Sequence, residues 1–243
     1  MFERRSYIIL LFFVTVTFIA TGAVLLSGDP ATQPKRFDYL VREDMFAGFR
    51  GDTAAMQRAI KLCEDTLRIN PNHPEALVWH GSAIWYLSGK AFQNHDVQTG
   101  MALSDSGLSE MDRAVELDSN NIGVRIPRAA AILAAAPFIP DPYGKMLMQK
   151  GLADYLKTLQ IQSAYFSKLP MHPKGELLGA LADTYRQLGD TASARTYYTR
   201  ITHELPGSEY ARRSSNWLKL KDLNTKTITL KPVTCIGCHT EED

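Results

Sequence analysis

The sequence predicts an all-α fold between residues 38 and 220, in which antiparallel helices repeat a common unit. This segment is rich in Ala, Leu, Tyr, Arg and Glu, and its apolar residues recur at helical spacing. Strand signals are nearly absent, because the only alternating stretch is 225–233 and Pro232 interrupts it. A chain of 243 residues is long enough for one substantial domain of this class.

The clearest repeat unit runs from Lys174 to Pro206. Large, small and aromatic residues follow one another along a first helix, a glycine marks the turn, and a second helix ends at a proline. The residues that carry the pattern are Leu178, Leu181, Ala182, Tyr185, Gly189, Ala194, Tyr198, Ile201 and Pro206. The unit resembles the tetratricopeptide repeat (TPR), a helical pair of roughly 34 residues. Small residues at 182 and 194 predict a close approach of the two helices.

Weaker copies of this unit precede it. Ala59 and Pro71 belong to one copy, and Leu77 and Gly81 open the next, with Trp85 on its packing face. The resemblance implies a TPR-like solenoid, an architecture whose extended surfaces bind partner proteins. Protein partners, in particular redox proteins or peptides, are therefore expected on the repeat surface.

Helical periodicity continues between and beyond the recognisable copies. An Ala-rich helix is predicted over 124–136 and a long helix over 145–168. The irregular spacing of 89–104 predicts either an insertion or lengthened helices. The last helix, 211–220, is predicted to cap the array, with Trp217 facing inward.

The segment 137–144 is predicted to be a loop, since its three prolines within six residues prevent a continuous helix. Phe138, Ile139 and Tyr143 are apolar for a loop. We expect them to pack back over the core, and a docking patch is the alternative.

The N-terminus predicts export and membrane anchoring. An uncharged apolar run from Tyr7 to Leu26 is long enough, at about 30 Å of helix, to cross a bilayer. Arg4 and Arg5 precede it, which favours a cytoplasmic N-terminus. A cleaved signal peptide is the alternative. The predicted organisation is a cytoplasmic segment 1–6, a transmembrane helix 7–27, a linker 28–37, the repeat domain 38–220 and a short irregular tail 221–243.

The tail contains Cys235-Ile236-Gly237-Cys238-His239, which resembles the haem-attachment motif of c-type cytochromes. The resemblance covers these five residues only. It implies that Cys235 and Cys238 form thioethers with one haem c and that His239 is an axial ligand of its iron. A redox-active dithiol and a zinc site are the alternatives.

Other residue patterns argue against most enzyme classes. The five remaining histidines show no spacing that would suggest a metal site. We expect His80 to be a core residue and His73 to be a solvated turn residue. Cys63 is expected to be a small buried side chain. We find no catalytic constellation apart from the haem motif, so an enzyme is the less favoured interpretation. With 27 basic and 26 acidic residues, the chain has no basic stripe for nucleic acid.

These observations predict an exported protein of the bacterial inner membrane, with its main domain in the periplasm. It would carry one covalent haem c and act as an interaction and electron-transfer module. The alternative is a non-haem scaffold, or an assembly factor of cytochrome c maturation with a dithiol.

Overall fold

The computed structural model describes residues 36–220, and within this range it contains α-helices and short 3₁₀ turns but no strand. This agrees with the predicted all-α class. The helices are α1 (Phe37–Phe49), α2 (Thr53–Ile69), α3 (Pro74–Gln93), α4 (Val97–Leu117), α5 (Ile122–Ala135), α6 (Tyr143–Gln162), α7 (Met171–Gln187), α8 (Thr191–Glu204) and α9 (Glu209–Leu218).

Side-chain contacts show that the two helices of each pair run antiparallel. His80, near the start of α3, contacts Glu110 towards the end of α4. Phe92, at the end of α3, lies against Gly100 at the start of α4. Between α5 and α6, Arg125 contacts Asp154, and the later residue Leu133 lies against the earlier residue Gly151.

Alternate helices run parallel to one another. Between α7 and α9, Glu176 accepts a hydrogen bond from Tyr210, and Asp183 further along α7 accepts one from Arg213. Glu75 of α3 likewise accepts a hydrogen bond from the backbone N–H of Asp38 in α1. The described residues therefore form a TPR-like helical repeat of four pairs, α1/α2, α3/α4, α5/α6 and α7/α8, followed by α9.

The irregular spacing around 89–104 reflects lengthened helices, because α3 and α4 contain 20 and 21 residues. They cross at Gly81 and Gly107. A Cβ atom at Gly107 would lie 2.7 Å from the carbonyl oxygen of Gly81, so a larger residue would push the two backbones apart. Glycine at both positions therefore allows the two backbones to approach closely.

The predicted packing of the clearest repeat is confirmed. Ala182 and Ala194 are both fully buried in one apolar cluster with Leu181 and Tyr198. Trp217 of α9 is buried in the same cluster and stacks on Tyr198 with 6.1 Å between ring centroids. The final helix therefore covers the apolar end of the α7/α8 pair, as the sequence predicted.

Polar side chains in the turns fix where several helices begin. In five cases a side chain accepts a hydrogen bond from the backbone N–H three residues later, which satisfies a donor that the helix leaves unpaired. These residues are Asp52, His73, Asp96, Asp190 and Ser208. The expectation that His73 is merely solvated was wrong, since its Nδ1 caps α3.

The turn from α5 to α6 divides the three apolar residues of the predicted loop. Ile139 packs against the core, whereas Phe138 is 86% exposed and Tyr143 is 41% exposed. The expectation that all three pack inward was therefore correct for Ile139 alone. Helix α6 ends at Gln162, earlier than predicted, and a 3₁₀ turn at Phe166–Lys168 follows.

Candidate interaction surface

The sequence-predicted haem residues lie outside the described range 36–220. Cys235, Cys238 and His239 all belong to the segment 221–243, and the predicted membrane helix 7–27 lies before residue 36. Covalent haem requires two thiols, which form thioether bonds to the porphyrin, and one imidazole, which binds the iron. The candidate site in the described residues is a different one, a groove between α4 and α6.

The α4/α6 groove is open to solvent and has a volume of about 640 Å³. One wall is α4 and the other is the first half of α6. Its lining combines apolar with charged side chains: Asp105, Leu108, Ser109, Asp112, Arg113, Glu116, Tyr143, Met146, Leu147 and Lys150. It can therefore contact apolar and charged groups of one partner at the same time.

The residues that line the groove recur at helical spacing. On each wall they therefore lie on one face of the helix. On α4, a stripe at intervals of three or four residues includes Val97, Met101, Asp105, Leu108, Asp112 and Glu116. On α6, the matching stripe includes Tyr143, Met146, Leu147 and Lys150. Lys150 donates a hydrogen bond to Asp112 across the groove at 2.5 Å, which fixes the register of the two walls.

A buried charge network joins this groove to α5. Arg128 donates from Nε to Asp154 at 2.7 Å and from Nη1 to Asp112 at 2.8 Å. Arg125 donates a second cationic hydrogen bond to Asp154, whose side chain is fully buried. Burial alone would lower the pKa of Arg128, but the hydrogen bonds and charges of Asp154 and Asp112 raise it. Three consecutive helices are thus held in one register by paired charges.

Large exposed apolar side chains are frequent on the two helices that form this groove and in the turn before α6, and two of them, Tyr143 and Met146, line the groove itself. Half of the twelve large apolar side chains that are exposed within 36–220 lie on α4, on α6 or in the turn before α6. They are Val97, Met101, Leu117, Phe138, Tyr143 and Met146. Such a concentration is typical of a surface that binds a partner.

The groove also has an acidic side. Partial burial raises the pKa of Tyr143, and the negative charges of Asp105 and Asp112 raise it further. Asp112 is neutralised by Lys150 and Arg128. Asp105 and Glu116 form no hydrogen bond or ion pair with any other residue of the described range.

The other polar residues singled out by the sequence have structural surroundings. His80, expected to be a satisfied core residue, is partly buried: its Nδ1 lies 2.5 Å from Oε2 of Glu110, while its buried Nε2 has no partner within 36–220. Cys63 is fully buried, and burial, with a smaller contribution from Glu110, raises the pKa of its thiol to about 12. A thiol of this kind is unreactive at neutral pH.

Two further observations concern the described residues alone. Between residues 36 and 220, no three His, Cys, Asp or Glu side chains are grouped so that they could hold a metal ion. In the same part of the chain, none of the helices has the length and apolar character that crossing a membrane requires.

No protein-family model matches the sequence, and no curated protein matches it. Among solved structures, the chain is similar to a thermophilic TPR protein of Thermus thermophilus, with 19% sequence identity over 75% of this chain and 99% of that one, and a TM-score of 0.37. At so low a TM-score the similarity adds nothing to the fold, which follows from the helix contacts described above. Those contacts define the class as a TPR-like helical scaffold.

Sequence reasoning did not find the α4/α6 groove. The signal was present in the alternating stripe from Val97 to Glu116, in which methionine and leucine share a helix face with three carboxylates. A stripe of this kind is too polar for a core and too apolar for a solvated face. It could have been recognised as a mixed surface, although not paired with α6.

Proposed function

We propose that this chain is an exported, membrane-anchored TPR-like protein that carries one covalent haem c on its C-terminal segment. It acts as an interaction and electron-transfer module on the periplasmic side of the bacterial inner membrane. The described helices supply the scaffold, and residues 235–239 supply the redox group.

The observation that carries this proposal is the Cys235-Ile236-Gly237-Cys238-His239 sequence. The chain has only three cysteines, and two of them stand at the spacing of a haem-attachment motif with histidine next. The third, Cys63, is buried in the helical core. When bound, the haem supplies one-electron chemistry.

The N-terminal sequence supports the same proposal independently. The apolar run from Tyr7 to Leu26 follows Arg4 and Arg5, a pattern that exports the residues after it. Covalent haem attachment and export both belong to an oxidising compartment. The two ends of the sequence thus indicate one location.

The proposed role is transfer and docking rather than catalysis. The described residues offer a mixed groove and exposed apolar side chains, which suit a protein partner. Folds of this class host many functions, so the fold does not indicate which protein binds here. The partner has to be identified by binding experiments.

The test is expression of the full chain together with a haem-attachment system, followed by a denaturing gel stained for haem. We expect a stained band at the size of the full chain. Replacing Cys235 and Cys238 together by Ala is expected to abolish the stain while the helical circular dichroism spectrum persists. The matched control is Cys63→Ala, which removes the remaining thiol and is expected to keep the stain. Unstained wild-type protein would refute the proposal.

A non-haem scaffold is the second candidate, favoured by the interaction surface alone. In that case Cys235 and Cys238 would form a dithiol, as in an assembly factor of cytochrome c maturation. Reversible oxidation of this pair in a protein that never stains for haem would select this candidate. Turnover of peroxide by the haem-loaded chain would instead indicate an enzyme.

A further inference from the structure

Two buried N–H groups on helix α9 have no hydrogen-bond acceptor within 36–220. They are Nε of Arg213 and Nε1 of Trp217. Both groups can only donate a hydrogen bond, so they cannot satisfy each other. A buried donor without an acceptor destabilises a fold, and an acceptor placed beside these two groups would remove that cost.

The same two side chains line a small cavity between α7, α8 and α9. Arg213 and Trp217 are four residues apart, so they lie on one face of α9. Gly179 lines the cavity from α7, and Tyr198 lines it from α8. The volume of the cavity is about 10 Å³, which corresponds to the space that one water molecule requires.

Glycine at position 179 leaves this space between α7 and α9. Gly179 is buried, yet a Cβ atom at this position would meet no atom of a neighbouring helix within 4 Å. One turn earlier, a Cβ atom at Gly175 would collide with the ring of Tyr210 in α9. The two helices are therefore in close contact at position 175 and leave room at position 179.

The charged groups beside the cavity are already arranged by hydrogen bonds. Asp183 accepts from Nη2 of Arg213 at 3.0 Å and from the hydroxyl of Tyr198 at 2.5 Å, so both of its oxygens are used. The guanidinium carbon of Arg186 lies 4.3 Å from the centre of the Trp217 ring. Two guanidinium groups and one carboxylate thus surround the indole, a balance that suits a neutral or singly negative acceptor.

We propose that this cavity binds one small hydrogen-bond acceptor, a water molecule or a chloride ion. The acceptor receives hydrogen bonds from Nε of Arg213 and Nε1 of Trp217, and it thereby holds the capping helix α9 against α7. The site goes beyond the proposed function and does not depend on haem.

The first test is nuclear magnetic resonance of the full chain labelled with ¹⁵N, observed at the indole N–H groups of its three tryptophans. Replacing each tryptophan by Phe assigns the signals. A bound water should give an Overhauser contact between its hydrogens and the Trp217 N–H. A bound chloride should shift the Trp217 signal when chloride is exchanged, at constant ionic strength, for acetate, which is too large for the cavity.

Trp85 is the matched control, because its Nε1 donates to the carbonyl oxygen of Ala131 at 3.2 Å. Its signal should show neither effect. A Trp217 signal that also shows neither effect would overturn the proposal, and the nature of the effect identifies the acceptor.

The second test compares Gly179→Ala with Gly89→Ala by thermal unfolding of the full chain. In both variants the new methyl group meets no neighbouring atom within 4 Å. Gly89→Ala, in α3, should raise Tm by roughly 2–4 °C, because alanine favours a helix over glycine. Gly179→Ala should instead lower Tm by roughly 2–4 °C, because its methyl group displaces the acceptor and leaves both donors unpaired. If Gly179→Ala raises Tm as Gly89→Ala does, no acceptor has been displaced and the proposal is wrong.

Discussion

Replacing Asp154 by Ala is the sharpest test of the charge network that joins α4, α5 and α6. The Asp154 side chain is fully buried and accepts hydrogen bonds from Arg125 at 2.5 Å and from Arg128 at 2.7 and 2.8 Å. Its removal leaves two largely buried guanidinium groups with fewer partners. Breaking a buried ion pair typically costs about 3–5 kcal/mol.

We expect the lower end of that range for Asp154→Ala, about 3 kcal/mol, because Arg128 keeps its hydrogen bond to Asp112. For a domain of this size, each kcal/mol lowers Tm by roughly 2–4 °C, so the expected loss is about 6–12 °C. The assay is thermal unfolding of the full chain, followed by far-ultraviolet circular dichroism.

Two comparisons make the result interpretable. Asp65→Ala removes a carboxylate that pairs with Lys61 and Arg68 on the exposed face of α2, and it should leave Tm unchanged. Adding Arg128→Met to Asp154→Leu should recover part of the stability, because the charges of Asp154 and Arg128 are then both replaced by apolar groups, while Arg125 keeps its hydrogen bond to the carbonyl oxygen of Ser119. If Asp154→Ala unfolds at the wild-type temperature, the network does not stabilise the fold as we describe.

Four further predictions concern other parts of the chain. Ala182→Leu should destabilise the α7/α8 pair by roughly 1–3 kcal/mol, because Ala182 is fully buried, and an unchanged Tm would contradict the assigned repeat. Cys63 should resist alkylation in the folded protein below pH 9 and react after denaturation, because its raised pKa keeps the thiol protonated until pH rises towards about 12; rapid native labelling would contradict its burial. Optical spectra of the haem-loaded chain should show a high-spin component and ready binding of carbon monoxide, because the motif itself supplies one axial ligand, His239; a low-spin spectrum lost on replacing one His or Met of the helical domain would contradict this. Mass spectrometry of the purified protein should retain residues 1–26, whereas a mature chain that starts near Val24 would show that the apolar segment is cleaved.

The repeats were predictable where contacts are local in sequence. In the α7/α8 pair, Ala182, Ala194 and Tyr198 lie within one helical hairpin, so the spacing of small and large residues already indicates which of them meet. The inward position of Trp217 followed from the same periodicity. Such pairs are separated by one short turn, which leaves few alternative registers.

The groove was not predictable because its walls are not consecutive in sequence. Helix α5 lies between α4 and α6, so the pairing of Asp112 with Lys150 depends on the lengths of two turns and on how Arg128 is shared. The cap at His73 was missed for a related reason. Histidine is an uncommon capping residue, and only the backbone geometry reveals that its Nδ1 reaches the N–H of Ala76.

The glycine pair at the α3/α4 crossing has a consequence for how this part of the chain can change. Position 107 is constrained from two directions, since a Cβ there would lie 2.7 Å from the carbonyl oxygen of Gly81 and 2.7 Å from the backbone nitrogen of Trp85. No single substitution at Gly107 can be accommodated by moving a side chain, because both neighbouring atoms belong to the backbone. The α3/α4 pair would have to slide or separate as a whole, and Met111, which also packs against Gly81, would move with it. Sequence drift is therefore much freer on the outer surface of these two helices than at their crossing point.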